Sequence, residues 1–110
     1  MIIEGQLWRD IDGDEALTVA RDGAFILDVR TQQETMLGVI AGAVVIPIDD
    51  IEERKAEIPR DGRVILVYCA IGSRSAAVCE HLAGQGFDDL LNLEGGIAVW
   101  TGATDKPSNS

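Results

Sequence analysis

The stretch Val64-Ile65-Leu66-Val67-Tyr68-Cys69-Ala70-Ile71-Gly72-Ser73-Arg74-Ser75-Ala76-Ala77-Val78 decides how the rest of the chain is read. It opens as an apolar, β-branched run, the pattern of a buried strand. From Ser75 onward the composition predicts a helix, beginning between Ser73 and Ser75. Cys69 stands first in the short turn between the two. A strand that turns directly into a helix aims several backbone N–H groups at one point, together with the positive end of the helix dipole. A thiol at that point has its thiolate stabilised, so its pKa falls below the free value of about 8.5. Gly72 lets the backbone curl around the sulfur without a Cβ in the way, and Arg74 adds positive charge at the helix entrance. Cysteine is most often a small core filler. Here strand end, glycine turn and helix start converge on one sulfur, and Cys69 reads as a nucleophile.

Working outward, the same alternation of strand and helix recurs. Leu7 and Trp8 suit a short edge strand. Asp12-Gly13-Asp14-Glu15 carries helix-start chemistry, with Ala16, Leu17, Val19 and Ala20 as a buried face and Gly23 as the stop. Ala24 to Arg30 is an apolar strand, polar only at its end. Thr31 and Glu34 have the spacing of a capping box, predicting a short helix through Leu37 that ends at Gly38. Ala43 to Ile46 is a third strand, stopped by Pro47, and Asp49 to Glu57 is a charged helix. The helix after the cysteine turn runs to about Gln85, Asp89 to Leu93 is a last strand, and Ile97 to Trp100 is a short helix. Strands alternating with helices predict an α/β fold with a mostly parallel sheet and helices on both faces. In such sheets ligands bind outside the carboxyl ends of the strands. Cys69 and the run Asp28-Val29-Arg30 both fall there.

Composition narrows the function. The 110 residues are 46% hydrophobic and 25% charged, as in a globular fold, and 110 residues suffice for one core without disulfides or metal. The net charge of −10 disfavours nucleic acid and anionic membranes as partners. The first six residues have neither a basic run nor a long apolar one, and no stretch approaches membrane-spanning length. A cytoplasmic monomer is expected, with one domain over 1–103 and a polar, disordered tail over 104–110. No dinucleotide or nucleotide-binding glycine pattern occurs, and one histidine with two separated cysteines builds no metal shell, so no cofactor or metal is expected.

Four pieces, in order, carry a resemblance to a known family: Leu27-Asp28-Val29-Arg30 with Glu34; Gly38 followed by Ile40-Ala41-Gly42-Ala43 and Ile46-Pro47; Tyr68-Cys69 through Gly72 and Arg74-Ser75; and Asn92-Leu93-Glu94-Gly95-Gly96-Ile97 with Trp100. From about Asp12 to Trp100 the chain resembles the single-domain rhodanese-like sulfurtransferases. That resemblance implies a three-layer rhodanese-like domain. It also implies a sulfane sulfur carried from thiosulfate or a persulfide donor, as a Cys69 persulfide, to cyanide or a thiol. The backbone of Ala70, Ile71, Gly72, Ser73, Arg74 and Ser75 would cradle the anion. Asp28 and Arg30 would brace the rim, with Arg30 paired to Glu34. Two positions depart from the family pattern: Thr35 where an aromatic is common and Val39 where a histidine is common. Both are expected to change packing near the rim and not the nucleophile. Ala70 and Ile71 are uncharged, which points to a less charged donor than thiosulfate, including a protein persulfide.

Three other functions compete. Phosphatases related to this fold have one more residue between cysteine and arginine than the Ala70 to Ser73 run, which makes this loop too tight for phosphate. A non-catalytic interaction module would not need the intact cysteine loop. A dithiol redox enzyme would need Cys79 near Cys69, yet Cys79 falls inside the helix, beyond the reach of a disulfide, and is expected to be core packing. His81, with no partner evident from spacing, is expected at the surface.

Overall fold

The computed structural model describes residues 7–107. In chain order the elements are β1 (Trp8–Ile11), α1 (Gly13–Arg21), β2 (Phe25–Asp28), α2 (Gln32–Thr35), β3 (Val39–Ile40), β4 (Val44–Val45), α3 (Ile51–Arg54), β5 (Ile65–Tyr68), α4 (Ser73–Ala83), β6 (Leu90–Leu93) and β7 (Thr104–Asp105). Short 3₁₀ turns occupy Ile48–Asp50, Lys55–Glu57 and Gly96–Val99. Five strands form one sheet in the order β1-β6-β5-β2-β4. Every neighbouring pair in it is parallel, which agrees with the expected α/β architecture.

Side-chain alternation divides the core in two. Ile65, Val67 and Cys69 project to one face, where Val78, Cys79 and Leu82 of α4 and Ile51 of α3 cover them. Leu66 and Tyr68 project to the other, against Ala16 of α1, Val39 and Ile40. Because β5 is central and covered on both faces, all four of its residues are buried, which is why it reads as a continuous apolar run. Full burial of each such aliphatic side chain contributes about 1.5–3 kcal/mol. A strand held this firmly fixes the position of the next residue in the chain, Cys69.

The helix starts use the expected residues. Asp12 accepts from the Glu15 amide at 2.9 Å. Thr31 and Glu34 form a reciprocal capping box, at 3.2 and 3.0 Å. The single charged helix expected over 49–57 is instead one short α-helical turn between two 3₁₀ turns. The antiparallel pairing of β3 with β7 has no signal in the sequence pattern. It sets Thr104 and Asp105, which fall within the expected tail, beside Ile40 and Val39. Expectations about residues 1–6 and 108–110 lie outside the described residues. Among the described residues no helix is long and apolar enough to cross a membrane.

Candidate active site

Cys69 leaves the carboxyl end of β5, and the chain reaches the first residue of α4 at Ser73. The turn closes because Gly72 takes φ of 105°, a left-handed conformation that a residue with a Cβ rarely adopts. A Cβ at Gly72 would also stand 3.1 Å from the Gly95 amide nitrogen. From this turn the Gly72 N–H donates to Cys69 Sγ at 3.1 Å, and the Ser75 N–H at 3.4 Å. The Ser75 hydroxyl lies 3.3 Å from the same sulfur. Cys69 and Ser75 are both fully buried.

Burial alone would push the Cys69 thiol up, because it removes water from the thiolate. The Ser75 hydroxyl, the Ser75 and Gly72 amides and the Ile71 amide outweigh that effect and bring the thiol below its ordinary value. The short hydrogen bonds to the sulfur come from Gly72 and Ser75, with lesser contributions from the Ile71 amide and from Arg74. Ala70 is half-buried, Ser73 is exposed, and Ile71 projects outward with 71% of its surface accessible.

The expected Arg30–Glu34 pair does not form. Arg30 folds back on Asp28, donating through Nε to both carboxylate oxygens at 3.1 Å and through Nη2 to Oδ2 at 2.7 Å. Two residues apart at a strand end, the pair is buried over the Tyr68 ring, with the guanidinium carbon 5.6 Å from the ring centroid. Arg30 also holds the Gly38 carbonyl at 2.7 Å, and the Tyr68 hydroxyl accepts from the Ile40 amide at 2.9 Å. The pair therefore ties the end of β2 to the 38–40 segment. Glu34 instead takes Arg74, in a two-pronged contact at 2.7 and 2.8 Å. Arg74 holds the Glu34 carboxyl down at about 2, helped by the Thr31 amide. Arg74 is thus shared: Glu34 is its main partner, and it also acts, more weakly, on the Cys69 sulfur.

Thr35 and Val39 are both buried, Thr35 donating to the Gln32 carbonyl at 2.7 Å. Cys79 is a free, fully buried thiol facing the sheet, and Cys69 is free as well. His81 is at the surface but has a partner that spacing does not reveal, Glu52 of α3 at 2.7 Å. Among the described residues no cluster of three or more metal-ligating side chains occurs.

Two supports of the loop have no counterpart among the expected site residues. Gly96 packs its backbone against the Cys69 and Ala70 carbonyls, where a Cβ would collide with both, and Ile97 donates to the Cys69 carbonyl at 3.0 Å. Asn92, 2% exposed, donates to the Gly72 carbonyl at 3.2 Å. In the sequence they stand in the family-like piece Asn92-Leu93-Glu94-Gly95-Gly96-Ile97, as two adjacent glycines after a strand and one polar residue inside Leu90-Leu91-Asn92-Leu93.

The rhodanese-like domain family model matches residues 6–103, and the chain belongs to that family. It is 39% identical over 79 residues to a protein of Allochromatium vinosum named sulfurtransferase, covering 72% of this chain and 73% of that one. It is 37% identical over 103 residues to the putative sulfurtransferase YtwF of Bacillus subtilis, covering 94% and 90%. The crystal structure of a rhodanese-like domain protein from Staphylococcus aureus superposes with a TM-score of 0.81 at 33% identity, over 91% of this chain and 99% of that one.

Proposed function

We propose that the protein is a rhodanese-type sulfurtransferase whose carrier is Cys69. The observation that carries this reading is the set of three donors, Gly72 N–H, Ser75 N–H and Ser75 Oγ–H, converging on one sulfur. In the first half-reaction the Cys69 thiolate attacks the outer sulfur of a donor. A bond forms from Sγ to that sulfur, and the donor leaves with the electron pair, as a thiolate from a persulfide or as sulfite from thiosulfate. In the second, a thiolate or cyanide attacks the outer sulfur, and Cys69 leaves as a thiolate. Sγ is an anion at the start and at the end, and the persulfide between is one too. Donors fixed in advance stabilise these anions at little reorganisation cost. Without donors an anion in this buried place would be strongly disfavoured.

Donor preference depends on the rim. Ile71 is the exposed tip of the loop, the nearby Arg74 charge is occupied by Glu34, and the whole chain carries −10. A dianion such as thiosulfate meets little uncompensated positive charge there. A persulfide of a small thiol or of a protein is the better substrate.

One observation favours a second reading, a non-catalytic interaction module: Cys69 has no exposed surface. Intact-protein mass separates the two. Incubation with a sulfane donor should add one sulfur atom, cyanide should remove it, and Cys69→Ser should take up none. If thiosulfate, polysulfide and glutathione persulfide all leave the mass unchanged, the sulfurtransferase reading is wrong and the module reading stands.

A further inference from the structure

The Gly72 carbonyl has more donors than it can accept. The Ala76 N–H approaches it at 3.2 Å in the first turn of α4, Asn92 Nδ2 at 3.2 Å, and the Ser75 hydroxyl at 3.2 Å. A carbonyl oxygen offers two lone pairs. The Ser75 hydroxyl has one proton and a second acceptor, Cys69 Sγ, at 3.3 Å. With Ala76 and Asn92 on the carbonyl, the hydroxyl is the surplus donor and is free to turn to the sulfur.

Asn92 is built for this. It lies opposite Asp10 in the parallel register of β1 and β6, and its second Nδ2 proton goes to Asp10 Oδ1 at 2.8 Å. Rotating the carboxamide would set its oxygen against two acceptors, so Asp10 and Gly72 together fix which way it points. The consequence is a buried Oδ1 with no partner, in a strand whose other members are leucines. A leucine here would avoid that orphaned acceptor. Placing two donors is what the carboxamide achieves that an apolar residue could not.

We propose that Asn92 is a positioning residue of the cysteine loop: it occupies the Gly72 carbonyl so that the Ser75 hydroxyl is left to Cys69. The proposal rests on Cys69 being the reacting thiol and adds the residue that assigns its hydroxyl donor. The charged groups about the loop are Arg74, paired with Glu34 of α2 and also acting on the sulfur, and Asp10 of β1, which Asn92 itself holds.

The test is a pH titration of the Cys69 thiolate by its ultraviolet absorbance, each variant being read against the same variant carrying Cys69→Ser. Cys79 cancels, and no reagent need enter the loop. Asn92→Leu should raise the midpoint by about one unit, roughly a tenfold loss of thiolate well below it. Ser75→Ala should raise it as well. In the Ser75→Ala background Asn92→Leu should add nothing, because the hydroxyl it releases is gone. Asn92→Val gives the same reading should the leucine variant not fold. An unchanged midpoint in Asn92→Leu, or an equal shift with and without Ser75, overturns the proposal. No sulfur donor enters this measurement, so it is decided separately from whether Cys69 carries sulfane sulfur.

Discussion

Cys69 and Cys79 lie in the same apolar layer between the sheet and α4, both free and both without exposed surface. Burial acts on each in the same direction, disfavouring the thiolate. Cys79 yields to it: burial, with a smaller contribution from the Asp10 charge, pushes the thiol up to about 12. Cys69 goes the other way, because Gly72 and Ser75 present donors to its sulfur. The difference lies in where each sulfur sits on secondary structure. Cys79 is inside a helix, whose amides are spent on its own carbonyls. Cys69 precedes the first turn of that helix, whose amides have no internal partners. What separates the two thiols is thus hydrogen-bond donors and not exposure.

The contrast between the two thiols breaks if the loop is displaced. Gly96→Ala would drive a methyl group into the backbone at Cys69 and Ala70. It should cost about 3 kcal/mol of stability, seen in thermal or denaturant unfolding, and move the Cys69 titration up toward that of Cys79. Full stability with an unchanged Cys69 midpoint would mean that Gly96 does not brace the loop.

A smaller perturbation sharpens it. Glu34→Gln releases Arg74 from its carboxylate partner and should lower the Cys69 midpoint by a few tenths of a unit, roughly, leaving Cys79 in place. The same variant reports on acid stability. The folded Glu34 carboxyl sits at about 2, below its ordinary 4.5. Its contribution is therefore present above 4.5 and lost as pH falls toward about 2. Both side chains of the pair are about one-third exposed, so the contribution is about 0.5–1 kcal/mol after screening. The stability difference between wild type and Glu34→Gln should shrink across that window; a constant difference would rule out the linkage.

Much of this arrangement was legible in the sequence. The run from Val64 to Tyr68 is apolar because its strand is covered on both faces, and Gly72 with Ser75 marks the turn that aims donors at Cys69. Capping at Thr31 and Glu34 was readable because it is local. What escaped depends on contacts between distant segments. Arg30 could not be assigned to Asp28 over Glu34 by spacing, since the choice turns on the Tyr68 ring beneath the guanidinium. Two-residue strands such as β3 and β7 are too short to show a period, so Thr104 and Asp105 read as tail. Asn92 stood in one of the family-like pieces, but its role was not legible there, because its partners lie on β1 and in the cysteine loop.

The most direct test of the contrast is site-resolved alkylation of the folded wild-type protein by a small haloacetamide across pH, with each cysteine quantified by peptide mass. Cys69 should be modified with a midpoint below that of an ordinary thiol, and near neutral pH it should react far faster than Cys79, which stays unmodified until the chain unfolds. Equal rates at the two cysteines in the folded protein, or faster reaction at Cys79, would contradict the claim that donors at the β5–α4 junction make Cys69 the nucleophile.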